Sequence, residues 1–313
     1  DLKTNKQNDK SHLIIRPKTI ELKDVESKAS LSKNESIYSA LKLGLKDYVR
    51  KNKFTKVLIG ISGGIDSALT AAICVDALGA ENVIGVAMPS KYNSKDSLDD
   101  AIKLSDNLGI TLKTIEIEKL VDDFRETLTN SLNEDLGQIT DENIQSRVRG
   151  NILMGLSNQT GAMVVSTGNK SEMAVGYSTL YGDLAGGFAL IKDLYKTKVY
   201  ELSNYINSIS DAIPKNIITK EPSAELRPNQ FDSDSLPDYE VLDKILNLYI
   251  EEDSSSEKII ASGVDPNLVF DVLEKVDRNE YKRKQVAPGV KLTQKAFGKD
   301  RRMPITNTYI RQK

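Results

Sequence analysis

Short apolar runs of β character alternate along this chain with longer stretches whose apolar residues recur every three or four positions. The first periodic stretch, over about 35–51, carries Ile37, Leu41, Leu45 and Val49 and predicts an amphipathic helix. Strand–helix units follow in series. A strand over 57–61 leads to a helix over 66–78 that stops at Gly79. A strand over 83–88 leads through Pro89-Ser90-Lys91-Tyr92-Asn93-Ser94 to a helix that ends at Gly109. A strand over 111–117 precedes a helix carrying Val121, Phe124, Leu128 and Leu132. A long helix is expected from Thr140 to about Asn158, with Asp141 and Glu142 suited to the dipole of its first turn, and then a strand over 162–166.

This alternation predicts an α/β fold, a mainly parallel sheet with helices on both faces. After Lys196 the pattern turns mostly helical, with Asp265-Pro266 reading as an N-cap followed by proline at the first helical position. Residues 209–237, rich in Pro, Ser and Asp, are expected to form a long loop. Residues 1–33 are polar and read as a tail or linker, leaving 34–313 as one domain. In folds of this class ligands bind beyond the carboxyl ends of the strands, where the polar clusters of this chain fall.

Composition narrows the chemistry. The 43 basic and 45 acidic residues leave a net charge of −2, so no basic field favours nucleic acid or an anionic membrane. No apolar run reaches membrane-spanning length and no signal peptide is evident, so a cytoplasmic protein is expected. The single cysteine, Cys74, lies in an apolar helical pattern and reads as a packing residue in a reducing compartment. The single histidine, His12, lies in the polar N-terminal stretch, which disfavours Ser-His-Asp triads, Cys-His dyads and histidine-rich zinc sites. Catalysis must then rest on phosphate-binding backbone, Lys or Arg, carboxylates and a hard metal ion.

The segment Val57-Leu58-Ile59-Gly60-Ile61-Ser62-Gly63-Gly64-Ile65-Asp66-Ser67 passes from apolar strand through Ser-Gly-Gly into a helical pattern. Glycines there let a ligand approach the backbone, and the unpaired N–H groups opening the helix form an anion site. The Gly-x-x-x-x-Gly-Lys-Ser/Thr pattern is absent. Ser62-Gly63-Gly64-Ile65-Asp66-Ser67 instead resembles the PP-loop of ATP pyrophosphatases, which cleave ATP between the α and β phosphates. A second cluster runs from Ser166-Thr167-Gly168-Asn169-Lys170-Ser171-Glu172 through Gly176-Tyr177 and Tyr181-Gly182-Asp183 to Gly186-Gly187. Together the two clusters resemble NAD synthetase, supported by the segments 142–151, 222–228 and 280–289. The likeness covers roughly residue 35 onward and is greatest to the synthetase domain of glutamine-dependent members.

That resemblance implies ATP-dependent amidation of deamido-NAD to NAD+ through an adenylated intermediate, releasing AMP and pyrophosphate. Gly60, Ser62, Gly63, Gly64, Ser67 and Thr167 correspond to ATP-binding positions, and Lys196 to a lysine on the ATP phosphates. An aspartate beside phosphates would repel them without a cation, so Asp66 reads as a Mg²⁺ ligand, with Glu172 as the second. Asp66, Glu172 and Lys196 are the expected catalytic residues. Asn143 and Arg147, four apart on one helix face, match deamido-NAD contacts. Tyr177 and Asp183 match positions around the nicotinate ring, and Lys282 and Lys284 fall in a basic loop resembling the family's closing segment, where Tyr281 stands in place of a histidine. The resemblance also implies a homodimer.

Glutamine-dependent members carry a nitrilase-like glutaminase domain with a Glu-Lys-Cys triad, which residues 1–50 cannot house. This chain is therefore expected to use ammonia. It reads either as a short enzyme or as a synthetase domain separated from a glutaminase domain or subunit, with Asp1 in place of Met favouring the second. Two alternatives stay open: another PP-loop ligase, GMP synthetase-like or tRNA-modifying, and a non-catalytic nucleotide-binding regulator.

Overall fold

The computed structural model describes residues 31–306; the stretch 1–30 with His12, and thus most of the expected tail, lies outside the described residues. Helix α1 (Lys33–Lys51) opens on Ser32, whose hydroxyl and the Glu35 carboxylate form a reciprocal capping box. Its Leu41 and Leu45 are fully buried, each worth roughly 1.5–3 kcal/mol of transfer free energy. Then come β1 (Val57–Gly60), α2 (Ile65–Leu78), β2 (Val83–Ala87), α3 (Lys95–Leu108), β3 (Thr111–Thr114), α4 (Glu118–Leu132), α5 (Gln138–Thr160) and β4 (Met163–Ser166). All four expected strands form, each shorter than its apolar run, and the long helix begins two residues before Thr140, after Gly137.

Helix α6 (Lys170–Val175), β5 (Phe188–Ala189), α7 (Lys196–Ser210) and α8 (Lys215–Thr219) follow. The C-terminal part is helical as expected: α9 (Tyr239–Leu246) runs on through a π turn, then come α10 (Ser256–Ala261), α11 (Pro266–Arg278) and α12 (Glu280–Arg283). Asp265 caps α11, its carboxylate accepting from the N–H groups of Asn267 and Leu268 with Pro266 at the helix start. The region 209–237 is less bare than its composition implied, since it holds α8 and a 3₁₀ turn at Asp232–Asp234.

The five strands form one parallel sheet in the order β3-β2-β1-β4-β5. From β1 the chain winds outward through β2 and β3, then returns to place β4 on the other side of β1. The reversal makes β1/β4 the topological switch point, where two loops part and leave a crevice. One face of the sheet packs on α1, α2 and α7 through Val57, Ile59, Leu69, Ile73, Val165 and Leu202. The other packs on α4 and α5 through Leu58, Val86, Val121, Ile144, Val148 and Val164. A separate apolar cluster, with Leu242, Ile245, Val272 and Leu273, holds the C-terminal helices against α6. Cys74 is fully buried in α2, where desolvation raises its thiol pKa, as a packing residue requires.

Helix α4 departs from its apolar reading. Val121 is fully buried, but Phe124 is 47 % and Leu132 55 % exposed, as is Leu120 at 43 %. Ile139 of α5 is 75 % exposed and lines the mouth of the cavity described below. Among the described residues no helix is long and apolar enough to cross a membrane.

Candidate active site

The crevice at the switch point opens into a cavity of about 600 Å³. Its floor is the turn after β1. The Ser62 hydroxyl lies 3.2 Å from that of Ser67 and accepts from the Gly64 N–H, while the Ser67 hydroxyl donates to the Gly64 carbonyl at 2.9 Å. Gly63 has φ +77°, and a Cβ there would lie 2.2 Å from the Ser97 carbonyl oxygen, so neither the conformation nor the space admits a side chain. No side chain caps the start of α2, which leaves its first N–H groups free of a side-chain acceptor at the cavity. Gly60, Ser62, Gly64, Asp66 and Ser67 line the cavity; Gly63 supports it from behind.

The loop after β4 forms the opposite wall with Ser166, Thr167 and Gly168. Asn169 caps α6: its side chain accepts from the Glu172 N–H, and the Glu172 carboxylate reaches back to the Asn169 N–H. The same asparagine donates from Nδ2 to Asp66 Oδ1 at 3.0 Å, joining the two loops. Lys196, at the start of α7 and 2 % exposed, places Nζ 2.5 Å from Asp66 Oδ2 and 3.4 Å from Glu172 Oε1. Asp66, Glu172 and Lys196, separate in sequence, thus meet at one point.

The charge there is unbalanced. Burial, and then the Asp66 carboxylate, push the Glu172 pKa up to about 8 even though Lys196 pulls it down. Burial works against the Lys196 ammonium, but Asp66 and Glu172 overcome it and raise its pKa, so it stays charged. Asp232 adds a third carboxylate at the cavity, its pKa also raised by burial. Among the described residues no group of three or more His, Cys, Asp or Glu side chains is arranged to hold a metal ion. Two carboxylates with an electrostatic deficit of positive charge do fit a hard cation that takes its remaining ligands from phosphate and water.

Residues matched to the dinucleotide divide. Asn143 and Tyr177 line the cavity, Asn143 Oδ1 accepting from the Thr179 hydroxyl at 2.6 Å and the Tyr177 hydroxyl donating to Asp232 Oδ1 at 3.2 Å. Asp183 also lines it; its Oδ1 accepts from the Thr179 N–H at 2.6 Å and the Ser146 hydroxyl at 3.3 Å, and enclosure of the carboxylate raises its pKa. Lys282 reaches in from α12 and donates to the Gly176 and Ser178 carbonyls at 2.7 and 2.8 Å. Arg147 does not line the cavity: it is exposed and donates to the Leu180 carbonyl at 3.2 Å. Lys284 is exposed and its nearest carboxylate oxygen is Glu280 Oε1 at 3.8 Å. The basic run forms a helical turn, not an open loop, so its side chains fan out: Lys282 enters the cavity, Arg283 is buried and donates to the Ala174 carbonyl, and Lys284 faces away.

Three further residues belong to the site. Asn169 carried a sequence signal, since Asn-x-x-Glu is a capping pattern. Arg149, two positions beyond Arg147, lines the cavity, donates to the Met88 carbonyl at 3.1 Å and forms no ion pair among the described residues; burial pulls its pKa down to about 10. Glu225 accepts from Asn93, Ser94 and Ser97, pinning the 221–230 loop over the cavity to the start of α3. Nothing local in the sequence marks that contact.

Residues 37–286, which contain every cavity residue named above, match the NAD synthase family model. The chain belongs to the NAD synthase family. It is 55 % identical to the glutamine-dependent NAD(+) synthetase of Thermotoga maritima over 279 residues, which cover 88 % of this chain and 48 % of that protein. It resembles the solved NH3-dependent NAD synthetase of Campylobacter jejuni at 29 % identity and TM-score 0.64, covering 81 % of this chain and 96 % of that one. The NMN synthetase of Francisella tularensis is similar at 27 % identity and TM-score 0.69, with 81 % of this chain and 97 % of that one covered. The chain spans about half the length of the curated relatives it matches. Membership in this family agrees with the parallel α/β fold and with the two motif clusters on either side of the switch point.

Proposed function

We propose that this chain amidates the nicotinate carboxylate of deamido-NAD to form NAD+, splitting ATP to AMP and pyrophosphate. The observation that carries the reading is the meeting of Asp66, Glu172 and Lys196 between the PP-loop and the β4–α6 loop. The N–H groups of α2 and the hydroxyls of Ser62 and Ser67 receive the β and γ phosphates. A nicotinate carboxylate oxygen attacks the α-phosphorus, the bond to the α–β bridging oxygen breaks, and pyrophosphate leaves with the electron pair. Lys196 balances the charge that develops on the leaving group. Ammonia then attacks the acyl carbon, loses a proton, and AMP departs. Asp66 and Glu172 would hold Mg²⁺, which when bound supplies charge neutralisation of the polyphosphate. Tyr177 lies against the pyridinium ring and Asp183 offsets its positive charge.

Ammonia is the nitrogen donor for this span, in keeping with the NH3-dependent relative that it matches almost from end to end. In the longer glutamine-dependent relatives the remaining half is the proposed glutaminase source of ammonia. The exposed apolar side chains of α4, Leu120, Phe124 and Leu132, support a homodimer that uses this helix. The reading places the enzyme in the cytoplasm, with no nucleic-acid or membrane partner.

Incubation with ATP, Mg²⁺, ammonium and deamido-NAD tests the proposal, with NAD+ and AMP expected in equal amounts. AMP without NAD+, or turnover only with xanthosine monophosphate, would sink it. Preferred use of nicotinic acid mononucleotide would move the substrate assignment to that of the NMN synthetase relative. Glutamine is expected not to replace ammonium.

A further inference from the structure

We propose that Asp232 is a positioning residue that fixes two tyrosines across the site, Tyr177 and Tyr239; the inference rests on the function proposed above. Asp232 is 5 % exposed and stands in the 3₁₀ turn of the loop over the cavity, its N–H donating to the Pro222 carbonyl at 3.0 Å. Its carboxylate is divided between two phenols. Oδ1 accepts from Tyr177 at 3.2 Å and Oδ2 from Tyr239 at 2.8 Å. Tyr177 faces the cavity beside Lys282, at the end assigned to the dinucleotide. The ring of Tyr239 lies 5.2 Å from Lys196 Nζ, at the end assigned to ATP. One side chain therefore connects both substrate ends.

A stabilising role alone is a poor account of this carboxylate. No Lys or Arg of the described residues lies within ion-pair distance, and the Lys196 charge acts on it only from farther off. Burying a carboxylate whose side-chain hydrogen bonds come from hydroxyls is costly compared with an apolar side chain of similar size. What the carboxylate provides is a two-point acceptor. A phenol held at its hydroxyl cannot swing about its side-chain torsions, so the Tyr177 ring keeps one orientation for stacking on a pyridinium, and the Tyr239 ring keeps its face toward the Lys196 ammonium. Asparagine keeps one acceptor oxygen and puts an NH2 donor where the other stood. One phenol can then no longer donate to this side chain and must turn its own oxygen to accept, which changes how that ring is held.

The test uses the whole chain with Asp232→Asn, Tyr177→Phe, Tyr239→Phe and the double variant Asp232→Asn/Tyr177→Phe. Each is scored for kcat, KM for deamido-NAD, KM for ATP, half-saturating Mg²⁺ and melting temperature. Asp232→Asn is expected to raise KM for deamido-NAD and lower kcat, each about tenfold, with the melting temperature within about 4 °C of wild type. Tyr177→Phe keeps the ring but loses the tether, and should reproduce the KM effect with KM for ATP within about twofold. Tyr239→Phe should reproduce the fall in kcat. The double variant should be no worse than Asp232→Asn in KM for deamido-NAD, because both changes cut one connection. Unchanged kinetics with a lowered melting temperature would reduce Asp232 to a structural group and overturn the inference. A tenfold rise in half-saturating Mg²⁺ at unchanged KM values would make Asp232 a metal ligand, and additive effects in the double variant would separate it from Tyr177; each also overturns it. If the wild-type chain makes no NAD+, the functional reading fails first and takes this inference with it.

Discussion

Replacing Glu172 with glutamine should make the ligand-free chain more stable at alkaline pH and nearly abolish its activity. In the folded chain burial and Asp66 move the Glu172 carboxyl from an ordinary 4.5 to about 8. Between those values the folded state keeps a proton that the unfolded state has released, so the free energy of unfolding falls as pH rises through that window. Each pH unit is worth about 1.4 kcal/mol, giving an upper bound of roughly 5 kcal/mol across the whole window. Over pH 6 to 8 we expect the wild type to lose on the order of 1–2 kcal/mol. Glu172→Gln keeps the side-chain oxygen that accepts from the Asn169 N–H and removes the charge, so it should lose none of this. The window is favourable because the chain contains only one histidine, and other titrations cancel in the difference between the two proteins. Urea unfolding of metal-free and nucleotide-free protein at pH 6, 7 and 8 measures it. Turnover of the variant should fall at least about 100-fold, the scale for losing an electrostatic group at a reacting phosphate. A variant whose stability tracks the wild type across these pH values would refute the electrostatic reasoning, and wild-type turnover would remove Glu172 from the site.

Other consequences can be checked independently. Gly63→Ala forces a Cβ against the Ser97 carbonyl at φ +77°, and should cost about 1–3 kcal/mol in unfolding assays and weaken ATP binding measured by calorimetry. Lys282→Ala should raise KM for deamido-NAD about tenfold or more, whereas Lys284→Ala, which points out of the cavity, should change it less than about twofold. If the proposed homodimer uses α4, Phe124→Asp combined with Leu120→Asp should shift it toward monomer in sedimentation; an unchanged dimer would place the interface elsewhere, and a monomeric wild type would overturn the homodimer.

The parts of the site that were legible in the sequence are those fixed by local chain geometry. A strand that ends at Ser-Gly-Gly and passes directly into a helix has one way to present its N–H groups, which is why Ser62, Gly64, Asp66 and Ser67 fall where the motif puts them. Thr167 and Glu172 follow by the same logic after β4. Where sequence and structure differ, the difference lies in direction and reach. Sharing a helix face with Asn143 brings Arg147 near the substrate end, yet its guanidinium turns to the Leu180 carbonyl, while Arg149, two residues on, enters the cavity. The basic run 282–284 sits in a single helical turn whose phase no local periodicity could give. The two-residue strand β5 is too short for any alternation to show. Glu225 and Asp232 owe their places to contacts more than a hundred and more than fifty residues away along the chain, as the bonds to Ser97 and Tyr177 show.

The site combines two kinds of buried polar structure, and their difference explains how a region with excess negative charge stays ordered. Behind the cavity the charges are closed. The fully buried Lys170 ammonium lies 3.1 Å from both Asp193 and Glu251 and donates to the Thr293 hydroxyl at 2.6 Å. Next to it the Lys196 N–H donates to the Ser171 hydroxyl, which donates to Asp243, and Asp243 also accepts from the Thr197 N–H and hydroxyl. These satisfied networks join the start of α6 to the start of α7 and leave their side chains little freedom. Toward the cavity the balance is reversed, because Asp66, Glu172 and Asp232 all act on the Lys196 ammonium. A flexible region would relieve such a surplus by moving apart. Here the satisfied networks behind it hold the groups in place, so the repulsion is expressed as a raised Glu172 pKa and, on the function proposed above, would favour a bound cation. Preorganisation of this kind costs stability in the free protein and returns it when a metal–nucleotide complex binds, so ATP with Mg²⁺ should stabilise the chain more at pH 8 than at pH 6, where protonated Glu172 has already relieved part of the repulsion.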